Sequence, residues 1–290
     1  MIYCKELDKS FETKQSMFSA LRKSFKDIIG LKKSLIQKSV EKDSSVKAKC
    51  LDASKINSNH PCKQDFEDDN YYYIVVNTTG ILDSHRDLHV KGIWNKTSKE
   101  RRFKNYLVDT HVLSLVTTLA KKEDVDMFVS EIPFSLLGKS YQGNTEALIY
   151  KIRKDKMNPL AKDFLDNDYA IEASVRMQYV IIEFAMNSIL EEDKELKANF
   201  DRYISEISNK DEYEDANGEI SYFWIVKEAK NTSESSLVLF GSNSTTGQIE
   251  PEPQNKNEID QAAIKALEDK NKQAAKKALE DKQKYLLNLN

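Results

Sequence analysis

Residues 170–184 read Ala170-Ile-Glu-Ala-Ser-Val-Arg-Met-Gln-Tyr-Val-Ile-Ile-Glu-Phe184. The run is rich in β-branched and aromatic residues and reads as a strand, interrupted by the small Ala173 and Ser174. Working outward, Tyr71–Asn77 has the same character, and further strands are expected at 105–109, 112–119, 126–134, 146–153, 219–229 and 234–240. Asn158-Pro159 ahead of Leu160, Phe164 and Leu165 reads as an N-capped helix with proline at its first position. Residues 188–207 read as helical, followed by an acidic loop at 211–219. Many strands with helices set between them imply a β-barrel or sandwich with peripheral helices.

The flanks are physically different. Met17, Leu21, Phe25, Ile28, Ile29, Leu31, Leu35 and Ile36 recur at helical spacing, so 16–40 is expected to be an amphipathic helix. Its other positions carry Arg22, Lys23, Lys26, Lys32, Lys33 and Lys38. Such a helix either packs on the body with a solvated basic face or docks an acidic partner or nucleic acid. With no aromatic stacking platform beside the charges, the first reading is preferred. Residues 41–70 lose periodicity and read as a linker, as does the Ser/Thr/Pro-rich stretch 242–257. From Glu258 onward the composition is helical, with Lys265-Ala-Leu-Glu-Asp-Lys270 repeated as Lys277-Ala-Leu-Glu-Asp-Lys282. A twelve-residue repeat drifts by ~120° on a helix and holds no single stripe, so a solvated helix is expected rather than a coiled coil.

Charge follows the same division. The formal charge is −3 overall, but 1–63 carries 14 Lys/Arg against 7 Asp/Glu, while 64–255 carries 22 against 34. Basic arm, acidic body and mixed-charge tail are three objects: 1–65, 66–245 with a helical and acidic insertion at 186–218, and 246–290. No apolar run reaches the ~18 residues of a membrane span. Scarce Gly and Pro exclude collagen-like and proline-rich classes. The opening residues carry no secretory pattern, and three cysteines without CxxC spacing fit reduced thiols in a cytosolic setting.

Several residues have the chemistry of a site. Asp83-Ser-His85-Arg-Asp87-Leu-His89 would place 83, 85, 87 and 89 on one face if extended, a possible divalent-metal set. A charged loop after the first strand is the preferred reading. His111 stands between two apolar runs, where one strand ends and the next is expected to begin. Ser174 becomes a nucleophile if a base reaches it. Glu234 opens the last expected strand, Glu234 to Asn243.

Four segments together resemble the phage prohead (capsid maturation) serine proteases, relatives of herpesvirus assemblin. They are Gly80 to Trp94 with its Asp-Ser-His-x-Asp stretch, Asp109-Thr-His111, Ala173-Ser174-Val175 after the 158–168 helix, and Glu234 to Asn243. The likeness covers roughly 66–245. It implies an α+β, mostly β fold: an assemblin-like closed or partly open barrel with peripheral helices. It implies a serine endopeptidase that cleaves scaffold and capsid precursors, and itself, in an assembling head within the host cytoplasm. Ser174 would be nucleophile, His111 general base and Glu234 the residue orienting it, with Asp109 a weaker rival. Arg176, two along from Ser174, is expected to help place oxyanion donors, and His85 to be structural. No cofactor or metal is implied. Capsid and scaffold precursors are the partners, with portal or shell contacts through arm and tail, possible self-association, and neither membrane nor nucleic acid. Self-cleavage is expected within 41–70 or 242–257. The alternatives are an inactive protease-like core component of the prohead and a metal-dependent hydrolase using His85, Asp87 and His89.

Overall fold

The computed structural model describes residues 1–38, 46–47, 66, 68–167, 169, 171–215 and 217–239. The chain divides into two units, Met1–Thr246 and Gly247–Asn290. The second unit, with the expected tail helix, lies outside the described residues, as do the 242–257 linker and most of 41–70.

The first unit opens with a hairpin, β1 (Ile2–Cys4) and β2 (Lys9–Phe11), then helix α1 (Lys14–Ser34) and the short strands β3 (Ile36–Lys38) and β4 (Val46–Lys47). Thr13 caps α1 by accepting the Ser16 N–H at 3.2 Å. The body follows: β5 (Tyr71–Thr78), β6 (Asp87–His89), α2 (Asn95–Glu100), β7 (Tyr106–Asp109), β8 (Thr118–Ala120), β9 (Val125–Pro133) and β10 (Asn144–Arg153). Helix α3 (Pro159–Asp166), β11 (Glu172–Met186), α4 (Lys194–Tyr203) and β12 (Tyr222–Val238) complete it.

One sheet has the order β5-β10-β9. The other runs β3-β11-β12-β7-β8, with β4 also on β11 and β6 also on β12. Pairing is antiparallel except that β6 and β7 run parallel to β12. The class is therefore α+β with strands dominant; of the closed or partly open barrel that the resemblance implies, the closed form is not seen among the described residues, where the sheets do not join.

Strand β5 is apolar at nearly every position because both its faces are covered. Tyr72, Ile74 and Val76 enter the main core with Leu148, Tyr150, Val175, Met177, Trp224 and Val226. Tyr73 and Val75 face a smaller cluster with Ile132, Ala147 and Ile149. The basic helix closes the main core: Met17 and Leu21 are buried in it, and the Phe25 ring stacks on Phe184 at 5.7 Å.

The arm and body of the sequence reading are thus parts of one unit, and α1 packs on β11. Its charges meet the acidic insertion. Lys14 pairs with Asp215 at 2.7 Å and Glu219 at 2.8 Å, while Arg22 forks onto Asp193 at 2.5 and 2.7 Å and also engages Glu192. Lys32 reaches Asp87 at 2.5 Å. The expected strand 112–119 is replaced by a loop, with only Thr118–Ala120 paired. The two strands expected at 219–229 and 234–240 are one 17-residue strand.

Candidate active site

Strand β11 brings Ser174 opposite Ser236 of β12. Just beyond, the register slips: Val175 faces Ser235, but Met177 faces Asn231. Arg176 therefore opposes three residues, Thr232 to Glu234, and Ser233 takes a left-handed φ of 72°. Such a bulge bends the strand and re-aims a side chain. The bulge is pinned by Asn231, whose N–H donates to Thr97 at 3.1 Å and whose amide donates to the Tyr150 hydroxyl at 2.7 Å and to Ser235 at 3.2 Å. Burial pushes the Tyr150 phenol up to about 12, so it stays a neutral hydrogen-bonding group.

Strand β7 lies parallel to β12 on the side away from β11, with Tyr106 opposite Glu234 and Asp109 opposite Leu237. At its end the chain reverses. Thr110 and His111 have φ of 48° and 58°, and the Val112 N–H closes the turn on the Asp109 carbonyl at 3.1 Å. Two successive left-handed residues mark a type I′ turn, a costly choice for Thr and His that tertiary contacts must hold. Here the Thr110 N–H donates to the Leu237 carbonyl at 3.1 Å and the His111 N–H to Ser236 Oγ at 2.8 Å.

These placements assemble a relay. Ser174 Oγ lies 2.6 Å from His111 Nε2. His111 Nδ1 lies 2.9 Å from Glu234 Oε1 and 3.2 Å from Oε2. With a carboxylate at Nδ1, the neutral ring carries its proton there and leaves Nε2 free to accept from serine. Ser236 Oγ donates to Glu234 Oε2 at 2.9 Å. A single hydroxyl thus ties the backbone of the histidine to the carboxylate of the glutamate. Glu234 is 0% exposed, Ser174 1% and His111 8%. Hydrogen bonds in this water-poor setting are stronger than in solvent.

The three residues expected as a triad are brought together. Asp109 is not part of the relay: its side chain is exposed, while its backbone serves the turn. Arg176 sits across from the bulge, where its carbonyl accepts the Thr232 hydroxyl at 3.5 Å. Ser236 was not foreseen; the only hint in the sequence is its i+2 spacing from Glu234, which puts both on one strand face.

The Asp83–His89 segment belongs elsewhere. Asp83 Oδ1 accepts the backbone N–H groups of His85 and Asp87, making a turn. Asp87 takes the Lys32 ammonium and the Tyr179 hydroxyl, the latter at 2.9 Å. His89 lies 3.2 Å from Asn77 Oδ1 and 3.3 Å from the Tyr179 oxygen. Burial pushes His89 down to about 4 and, with Asp87 nearby, pushes Asp83 up to about 8. The supposed metal donors are engaged with protein groups, and among the described residues no cluster of three or more His, Cys, Asp or Glu has the arrangement to hold an ion. No helix among them is long and apolar enough to cross a membrane.

Compared with family models, with curated proteins and with solved structures, the chain matches none.

Proposed function

We propose that this chain is a serine endopeptidase of the prohead-maturation kind, with an assemblin-like catalytic core. The observation that carries the reading is the continuous Ser174–His111–Glu234 hydrogen-bond relay. Buried polar groups need partners, but a purely structural requirement does not select serine, imidazole and carboxylate in this order from three separate elements.

On this reading Ser174 Oγ attacks a peptide carbonyl while His111 Nε2 accepts its proton. The imidazolium is held by Glu234 through Nδ1, then returns the proton from Nε2 to the leaving amine. A water molecule deprotonated by the same nitrogen attacks the acyl-serine and frees the enzyme. Ser236 keeps the carboxylate and the ring in register throughout. The substrates proposed are scaffold and capsid precursors inside an assembling head, and the chain itself.

The test is co-expression with capsid and scaffold proteins, reading intact and peptide masses for the wild-type chain and for Ser174→Ala. Processing by the first and none by the second is expected. Identical cleavage in both would leave an inactive, protease-like component of the head core as the better description.

A further inference from the structure

One lateral edge of β11 is taken along its length by β12, which carries Glu234. Along its other edge the chain adds strands of its own. Lys38, Gln37 and Ile36 pair antiparallel with Arg176, Met177 and Gln178. Lys47 and Val46 pair antiparallel with Glu172 and Ala173. The described pairs lie on either side of Ser174 in the sequence of β11, and Ser174 is only 1% exposed.

We propose that the Glu172–Gln178 edge is the docking edge for an extended polypeptide, and that the chain's own strands β3 and β4 occupy it in cis. The proposal rests on the proteolytic reading of Ser174 for its consequence, but the occupancy is a binding claim in its own right. An edge strand offers a row of backbone donors and acceptors that any extended segment satisfies, so main-chain pairing supplies affinity while pockets supply choice. A polypeptide offered to Ser174 along this edge therefore needs the same backbone groups that β3 and β4 use. Because β3 follows α1 directly, and α1 is fixed to the body, the resident strands compete as an intramolecular ligand at high effective concentration. Among the described residues the resident strands contribute three and two backbone pairs, and short edge pairings of this kind open locally.

The experiment uses the full chain with Ser174→Ala and a fluorescein-labelled synthetic peptide of residues 34–48 as the probe. Gln37→Pro with Val46→Pro removes backbone donors from both resident strands. The peptide is expected to bind this variant at least tenfold more tightly than the Ser174→Ala chain alone. Equal affinity overturns the proposal. If the proline pair lowers folded content by circular dichroism, Ile36→Gly with Val46→Gly replaces it, since glycine weakens a strand while keeping its donor; the expected gain is then smaller but of the same sign. In a second arm the same substitutions are made with Ser174 intact and casein is the substrate, and cleavage is expected to rise about tenfold. A gain in binding without casein cleavage in any form retains the self-occupied edge and removes the protease reading. Cleavage without a gain in binding does the reverse.

Discussion

His111 holds a strained backbone, a buried ring and both partners of the relay, so its replacement separates chemistry from stability. His111→Ala is expected to abolish precursor cleavage while the melting transition stays cooperative; processing at the normal rate would remove the relay from the mechanism. Glu234→Gln should be milder, because an orienting group contributes less than the base it orients. Ser236 offers a sharper test. Its hydroxyl accepts from the His111 backbone and donates to Glu234, so it acts on the relay through the base and the carboxylate. Ser236→Ala strands one buried N–H and frees the carboxylate to turn, at a cost of about 1–3 kcal/mol in stability. Positioning predicts that kcat falls about tenfold with KM little changed and that the acid limb of the pH–rate profile moves. Ser236→Thr, which keeps the hydroxyl, should recover much of the rate. Lost stability with an unmoved profile would mean that Ser236 serves the fold alone.

Among the elements, helix α1 depends most on one contact. The Lys32 side chain is 11% exposed and Asp87 only 2%, and the ammonium also lies 5.3 Å from the Trp224 ring centre. Removing one member of a buried pair leaves the other charge uncompensated, typically a loss of 3–5 kcal/mol. Lys32→Met is therefore expected to destabilise the unit by about that amount in urea unfolding, and adding Asp87→Asn should restore most of it. Additive losses would show that the two groups act independently. The same elements show what local sequence can and cannot reveal. Strand β5 was legible, and helix α1 as far as Ser34, because β-branched content and periodicity report burial; the helix expected on to 40 gives way to a strand at Ile36–Lys38 that pairs with β11. Strand β12 reads as two because Asn231-Thr-Ser-Glu234 has the composition of a turn, although hydrogen bonds that Asn231 donates to Thr97 and Tyr150 hold it as a bulge. The 112–119 stretch read as a strand from Val112, Leu113, Leu115 and Val116. Instead Ser114 and Thr117 hydrogen-bond each other at 2.7 Å and close a loop with Leu115 and Val116 exposed. The family resemblance suggested which three residues meet, but the I′ turn and the bulge that aim them are held by partners 60 or more residues away.

At the scale of the whole molecule, three cations of the basic helix, Lys14, Arg22 and Lys32, meet carboxylates of the same unit. The part-exposed pairs of Lys14 with Asp215 and Glu219 weaken with salt, whereas Arg22–Asp193 and Lys32–Asp87, with buried carboxylates, should do so much less. The buried polar cluster beneath α1 gives the pH dependence. His89, held near 4, binds fewer protons folded than unfolded between 4 and its ordinary 6.5, so its contribution to stability grows with rising pH there. Asp83, raised from 3.8 to about 8, binds more protons folded than unfolded, so its contribution is complete below 3.8 and is lost as pH rises through 8. The two slopes oppose one another between 4 and 6.5. Above 6.5 only that of Asp83 remains, and stability is expected to fall by about 2 kcal/mol toward pH 8. Denaturant midpoints at pH 6.5 and 8 check this. Asp83→Asn should flatten the decline, and an unchanged slope in that variant would assign it to another group.

The parallel seating of β7 on β12 also sets a timetable. His111 must wait for Ser174, 63 residues later, and for Glu234, 123 residues later. Strand β12 itself runs to Val238. A chain still being synthesised has His111 and Ser174 but not yet Glu234, and no strand on which to align the first two. Contacts so distant in sequence also form slowly once the chain is complete. On the proteolytic reading, a nascent polypeptide is harmless to its neighbours on the ribosome, and hydrolytic competence arrives only with the closing strand.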